Sequence, residues 1–182
     1  VSGAPSIQRR LAADQALLEY VVGPGNLVVF VLTSRGITVK SIPLREHELA
    51  ARIALLRDLI RRPADNRWRK PAARLAVDLF DPLERAGWLD GVTRLYVVPH
   101  GALAYLPFAL LPQPASGRGD LLIDRYTVAY LPSAAALLRD SSGPDTERSL
   151  LAVAPSRGGL RHAPAEARAI RARFEPNART LL

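Results

Sequence analysis

The first part of the chain alternates between apolar, β-branched runs and short polar turns. The apolar runs lie at 18–22, 27–33 and 37–42, and are separated by Gly-Pro-Gly-Asn at 23–26 and Ser-Arg-Gly at 34–36. Short runs bounded by turn residues predict an antiparallel β-meander. Ahead of it, the spacing of Ile7, Leu11, Leu17 and Leu18 predicts a short helix over 6–18, with Ser6 as its N-cap.

The next segment changes to helical periodicity and predicts two helices, over 45–62 and 71–86. Pro63 ends the first helix, and Pro82 predicts a kink or break near Asp81 in the second. The two apolar stripes are Leu49, Ile53, Leu56 and Ile60, and Leu75, Leu79, Leu83 and Ala86.

Strands and helices then alternate to the end of the chain. We predict a central, buried, parallel strand at 92–98, two short strands at 121–123 and 126–130, and a helix from Ser133 to Leu138 with Ser133 as its N-cap. A loop at 141–147, a buried strand at 150–154, a helix at 163–174 and the start of a strand at 180–182 follow. The order predicts an α/β fold, with a mostly parallel sheet flanked by helices and preceded by the antiparallel meander.

These elements predict one domain in three parts: the short helix and meander at 6–44, the helical pair at 45–90, and a β/α core portion at 91–182. The last apolar strand has nothing after it to cover the sheet edge, so we expect the domain to be incomplete at its C-terminus. We find no signal peptide and no apolar stretch long enough for a membrane span, and we expect a cytoplasmic protein.

The 182 residues carry a net charge of +8, and the densest basic run lies at 61–70. Arginines supply almost all of the charge and are spread along the chain, which favours solvated surface over a nucleic-acid interface. We interpret the basic run as a solvated loop between the two helices, with an anionic partner as the alternative.

Candidate chemistry is sparse. The chain has no cysteine, which excludes disulfides, thiolate metal sites and a thiol nucleophile within it. Gly23 and Gly25 lack the third glycine of a dinucleotide loop and predict a hairpin turn. His47 and Glu48 begin like a zinc-protease helix, but Ala51 stands where the second histidine would be.

The chain has three histidines. We expect His47 to face solvent at the start of a helix, and His162 to lie in the turn before a helix. His100 follows a buried strand, where α/β proteins place their sites, but no nucleophile stands beside it, so we interpret it as a turn residue.

The segment 95–111, Leu-Tyr-Val-Val-Pro-His-Gly-Ala-Leu-Ala-Tyr-Leu-Pro-Phe-Ala-Leu-Leu, resembles the most recognisable N-terminal block of CHAT domains. In that family a hydrophobic strand ends in Val-Pro-Asp-Gly, and Leu-Pro-Phe-x-x-Leu follows. The segment 121–133 is similar to the next block, a Leu-Ile-Glu-Arg-Tyr-like run before a Pro-Ser helix start, and 17–20, 151–154 and 165–167 also match. His100 stands where the family usually has Asp.

The resemblance implies a caspase-like fold, related to caspases and separase and often fused behind TPR repeats. Active members use a His in a later His-Gly turn and a Cys at the end of the following strand, both normally C-terminal to the blocks matched here. We therefore expect the dyad beyond this chain or on a second polypeptide, and we assign no catalytic, cofactor-binding or metal-binding residue within it. The expected scaffolding residues are Leu95, Val97 and Val98 in the strand, Pro99 and Gly101 in the turn, and Pro107 and Phe108 as anchors.

Three functions remain open at this point. The chain is the non-catalytic scaffold portion of a CHAT cysteine endopeptidase, a pseudoprotease or interaction module without the dyad, or, ranked last, a basic nucleic-acid-binding domain. The expected partners are the rest of the CHAT domain or a second chain carrying the dyad, a protein or peptide substrate, and a TPR region. We expect no cofactor and no membrane partner.

Overall fold

The computed structural model describes residues 3–62, 66–113, 120–139, 150–153, 162–174 and 178–181. The chain divides into two compact units, Val1–Arg139 and Asp140–Leu182. The predicted loop at 141–147 lies outside the described residues, as do Ala154 and Leu182 of the two predicted strands.

The N-terminal apolar runs form the predicted meander. It comprises β1 (Gln15–Val22), β2 (Leu27–Thr33) and β3 (Gly36–Ile42), which pair antiparallel in that order. The hairpin turn expected at Gly23 and Gly25 is confirmed, with the Gly23 N–H donating to the Asn26 carbonyl over 2.9 Å.

The prediction of a helix over 6–18 is wrong for most of its length. Helix α1 covers only Ala4–Gln8, its N-cap is Gly3 rather than Ser6, and β1 already begins at Gln15. Leu17 and Leu18 are both fully buried, because β1 has a hydrophobic cluster on each face of the sheet. A strand covered on both faces lacks the alternation that distinguishes it from a helix.

Five strands form one mixed sheet, in the order β3-β2-β1-β4-β5. Strands β4 (Arg94–Val98) and β5 (Thr127–Tyr130) run parallel to β1, with Ala16 opposite Leu95 and Leu95 opposite Val128. The α/β class is confirmed, and so is the parallel character of the strand predicted at 92–98. The meander is continuous with the parallel strands, because β1 pairs with both β2 and β4.

Helices α2 (Glu46–Ile60), α3 (Arg69–Leu79) and α4 (Asp81–Arg85) occupy the predicted helical segment. The break falls at Phe80, one residue before α4, and Pro82 lies in the first turn of α4. The apolar stripes are buried except at Ile60, which is half-buried, and Ala86, which is exposed beyond the end of α4.

The segment after β4 departs from the predicted strand at 121–123. Leu121 makes only a single bridge to Pro112, and α5 (Leu122–Arg125) is one helical turn. The Asp124 carboxylate accepts the Leu121 N–H over 2.8 Å, so an acidic residue three positions on satisfies the N-terminal donor of that turn. Near the end of this unit, residues 134–138 form a 3-10 turn that starts after Ser133, whose side chain makes no capping bond.

The second unit contains β6 (Leu150–Val153), α6 (Ala163–Ala172) and β7 (Ala178–Leu181), with β6 parallel to β7. The prediction that the strand at 150–154 is buried is wrong, since Leu151 is 60% exposed and Val153 is 64% exposed. Leu150 and Ala152 are half-buried, and this alternation is typical of a sheet covered on one face only.

Candidate functional site

The carboxyl ends of β1 and β4 meet at one edge of the sheet, because the two strands are parallel. His100 follows β4 at this edge and is exposed. Its Nδ1 atom accepts a hydrogen bond from the Val22 N–H over 3.1 Å. A ring nitrogen that accepts a hydrogen bond carries no proton, so the neutral imidazole has its hydrogen on Nε2. The side chain therefore joins two strand ends, and its basic nitrogen is occupied by that structural bond.

Gly101 fixes the direction in which the chain leaves the edge. Its φ is +58°, in the left-handed region that favours glycine, and it begins a 3-10 turn over Gly101–Tyr105. Leu103 and Leu106 are buried within and just after this turn. The turn therefore directs the chain from the strand end back into the hydrophobic core.

Phe108 anchors the segment after the turn. Its ring is fully buried, with centroids at 5.6 Å from Tyr20, 6.1 Å from Phe80 and 6.0 Å from Tyr130. The Tyr130 hydroxyl accepts the Phe108 N–H over 2.9 Å and donates to the Leu106 carbonyl over 3.3 Å. Side chains of β1, of β5 and of the junction between α3 and α4 therefore hold the Phe108 segment in place.

A second polar cluster lies where α5 meets α4. The Glu84 carboxylate has its Oε1 atom 3.4 Å from both the Arg125 guanidinium and the Tyr126 hydroxyl, and its side chain is only 6% exposed. The Arg125 guanidinium also lies over the Tyr126 ring, 4.9 Å from its centroid. These contacts attach the Asp-Arg-Tyr run to the helical layer, which is a structural role.

The tyrosine environments oppose nucleophilic activation. Burial raises the pKa of Tyr20, whose hydroxyl has no hydrogen-bond partner in the described part of the chain. Burial is also the largest cause that raises the pKa of Tyr126 and of Tyr130. A nucleophile needs a lowered pKa or an adjacent base, and these phenols have the reverse.

The other two histidines are both exposed at the start of a helix. His47 is exposed in the first turn of α2, as expected, and no hydrogen bond joins it to His100 among the described residues. In the second unit, His162 is exposed at the N-cap of α6 and makes no capping bond with its side chain. Among the described residues no group of three or more metal-binding side chains comes together.

The basic run between α2 and α3 is only partly a loop. Residues 63–65 lie outside the described residues, Asn66–Trp68 forms a 3-10 turn, and α3 begins at Arg69. The Arg69 guanidinium lies 5.2 Å from the centroid of the Trp68 ring.

Sequence reasoning missed two contributors, Tyr130 and Glu84. Tyr130 ends an apolar strand, and nothing near it in the sequence indicates that its hydroxyl bonds to backbone groups 22 and 24 residues earlier. Glu84 is too far in sequence from α5 for a local salt bridge. The fold brings the Arg125 guanidinium to 3.4 Å from the Glu84 carboxylate. The sequence has no local signal for this contact, because Glu84 and Arg125 lie 41 residues apart.

The comparisons with known proteins give one family. The model of the CHAT domain family matches residues 69–182. Among solved structures, a chain of the PilM-PilN type IV pilus biogenesis complex is similar at 15% identity, with a TM-score of 0.42, over 73% of this chain and 40% of that one. No curated protein matches. In the described residues no helix is long and apolar enough to cross a membrane.

Proposed function

Because this chain belongs to the CHAT domain family, we propose that it forms the scaffold portion of a caspase-like cysteine endopeptidase domain. The observation that carries the proposal is the family match over 69–182 in a chain without cysteine. Thiol chemistry needs a thiolate, so the sulfur and its histidine base come from a further segment or from a second polypeptide. The proposed substrate is a protein or peptide, and the proposed location is the cytoplasm, where thiols stay reduced.

The geometry of the sheet edge supports a scaffolding role. His100 and Tyr130 are both engaged with backbone groups there, which makes them structural supports rather than free catalytic groups. Within the first unit, β5 has only β4 as a neighbour among the described residues. Strands added in parallel beside β5 would have their carboxyl ends at the same edge of the sheet as His100. The proposed dyad would then lie at the edge where the turn at Gly101 begins.

Peptide hydrolysis tests the proposal directly. The 182-residue chain alone is expected to leave a pool of fluorogenic peptides uncleaved. Co-expression with a CHAT segment that carries the His-Gly turn and the Cys strand is expected to give cleavage, and a Cys→Ala change in that segment is expected to abolish it. Hydrolysis by the chain alone would contradict the proposal, as would cleavage that survives the Cys→Ala change.

A second candidate is a pseudoprotease or protein-interaction module that has the fold without the dyad, and the absence of cysteine favours it equally. A His-Gly turn and a later Cys in the gene after residue 182 favour the peptidase, and a coding sequence without them favours the module. A TPR region, if encoded beside the domain, is a proposed partner of either. Nucleic-acid binding remains the third candidate and predicts an affinity that falls steeply with salt.

A further inference from the structure

A shallow groove runs along the solvent side of α2 and α3. Two neighbouring depressions form it and share Lys70 and Arg74 in their linings. We call this surface the α2/α3 groove and define it by the lining residues Arg52, Leu55, Lys70, Arg74, Val77 and Asp78.

The floor of the α2/α3 groove is apolar and open to solvent. Leu55 of α2 is 53% exposed and Val77 of α3 is 50% exposed. Lys70, Arg74 and Val77 are spaced by four and then three residues, so they lie on one face of α3, while the stripe containing Leu75 and Leu79 is buried. Helix α3 therefore has apolar side chains on its buried face and also on its solvent-exposed face.

The rim of the α2/α3 groove carries three cations, Arg52, Lys70 and Arg74. Arg52 is ion-paired with Glu48 and with Asp78, at 2.5 Å in the latter case. Lys70 and Arg74, by contrast, form no ion pair among the described residues. Two cations flanking exposed apolar side chains are complementary to a ligand that combines carboxylates with apolar side chains.

We propose that the α2/α3 groove binds an acidic amphipathic helix of a partner protein. Its apolar side chains contact Leu55 and Val77, and its carboxylates pair with Lys70 and Arg74. A second copy of this chain is a poor occupant because both surfaces belong to a chain with a net charge of +8. Single-stranded nucleic acid is bound largely by stacking of its bases on aromatic rings, and no aromatic residue is among the described residues that line the α2/α3 groove.

Fluorescence anisotropy with a defined panel of labelled peptides tests the groove on the full chain. The panel consists of 16-residue helical peptides that carry Glu on one face and Leu at positions i, i+3, i+4 and i+7 on the other. The comparison probes are peptides of the same charge with Ser in place of Leu, and a single-stranded oligonucleotide. Binding is expected for the amphipathic peptides only, and this readout is independent of any peptidase activity.

Two pairs of variants distinguish binding in the α2/α3 groove from non-specific electrostatic and hydrophobic binding. The double change Lys70→Glu and Arg74→Glu is expected to weaken peptide binding at least about tenfold. Val77→Ser is expected to weaken it about fivefold, in line with the loss of one apolar contact at an interface. The matched controls lie on β3: Lys40→Glu, and Val39→Ser at 53% exposure, which are both expected to leave binding unchanged.

Several outcomes overturn the proposal. No peptide of the panel binds, or the β3 controls weaken binding as much as the groove variants do. Equal binding of the Leu and Ser peptides shows that only charge matters. An oligonucleotide that binds through Lys70 and Arg74 while the peptides do not identifies a nucleic-acid surface instead. Far-UV circular dichroism of each variant confirms that it is folded before its binding is compared.

Discussion

Replacing Phe108 by Ala tests whether the family's Leu-Pro-Phe block is a structural anchor. The ring is fully buried against three other aromatic rings at 5.6 to 6.1 Å. Truncation of a buried Phe to Ala costs about 3–5 kcal/mol. A domain of ordinary stability has about 5–15 kcal/mol, so this single change removes a large part of it.

Urea unfolding followed by tryptophan fluorescence measures the loss, because Trp88 packs against the main core. With a slope of about 2 kcal/mol/M, a loss of about 4 kcal/mol lowers the unfolding midpoint by about 2 M. Tyr105→Ala is the matched control, since Tyr105 lies three residues earlier and is 64% exposed, with the Arg57 guanidinium over its ring. It is expected to cost at most about 1 kcal/mol. Equal midpoints for the two variants would refute the anchoring role of Phe108.

Three further predictions concern the turn and the buried phenols. Gly101→Ala is expected to lower the free energy of unfolding in urea by about 1–2 kcal/mol, because Gly101 has a left-handed φ of +58°. The control is Gly36→Ala, which is expected to cost less than about 1 kcal/mol. At Gly36 φ is not positive and nothing lies within 4 Å of an added Cβ. Equal losses would contradict this explanation. Tyr20→Phe is expected to raise the free energy of unfolding by about 1–2 kcal/mol, because it removes a buried hydroxyl that lacks a partner in the described residues; destabilisation would reveal a missed bond. The pKa of Tyr20, Tyr126 and Tyr130 is raised on folding, so the folded state disfavours their ionisation. Their ionisation does not affect the free energy of unfolding below pH 10.0 and lowers it as pH rises above that value, so the urea midpoint is expected to be lower at pH 11 than at pH 9. A flat midpoint over that range would exclude the linkage.

The elements with clear local signals were predictable. Strand β2 begins and ends at the predicted residues, Leu27–Thr33, because polar turns bound an apolar, β-branched run on both sides. The break between α3 and α4 was predictable from Pro82, which lacks an N–H and fits the first turn of a new helix. Both signals act within a few residues of the structure they determine.

The predictions of secondary structure are wrong where contacts between residues distant in sequence determine the local structure. The spacing of Ile7, Leu11, Leu17 and Leu18 predicts a helix over 6–18, and only the second hydrophobic cluster explains why Leu17 and Leu18 are both buried in a strand. The helical turn α5 depends on the hydrogen bond that the Leu121 N–H donates to the Asp124 carboxylate. This bond outweighs the strand propensity of the Leu-Leu-Ile run.

The candidate site shows the same division between local and tertiary signals. Pro99 and Gly101 predict a turn at the end of the strand, and the 3-10 turn begins at Gly101, with His100 extended immediately before it. Nothing in the sequence indicates that the imidazole bonds to Val22, which is 78 residues earlier in the chain. Such a partner becomes evident only when parallel pairing aligns the ends of two strands that are distant in sequence.

The pairing of β1 has a practical consequence for anyone who shortens this protein. A chain trimmed to the family-matched residues 69–182 loses the first three strands of a five-stranded sheet. Leu95 and Val97, which are fully buried beside β1, then lie along a newly exposed edge of unpaired backbone that invites aggregation. The smallest piece that keeps β4 paired with β1 starts ahead of Gln15, so a chain cut at the limits of the family match leaves β4 without this neighbour.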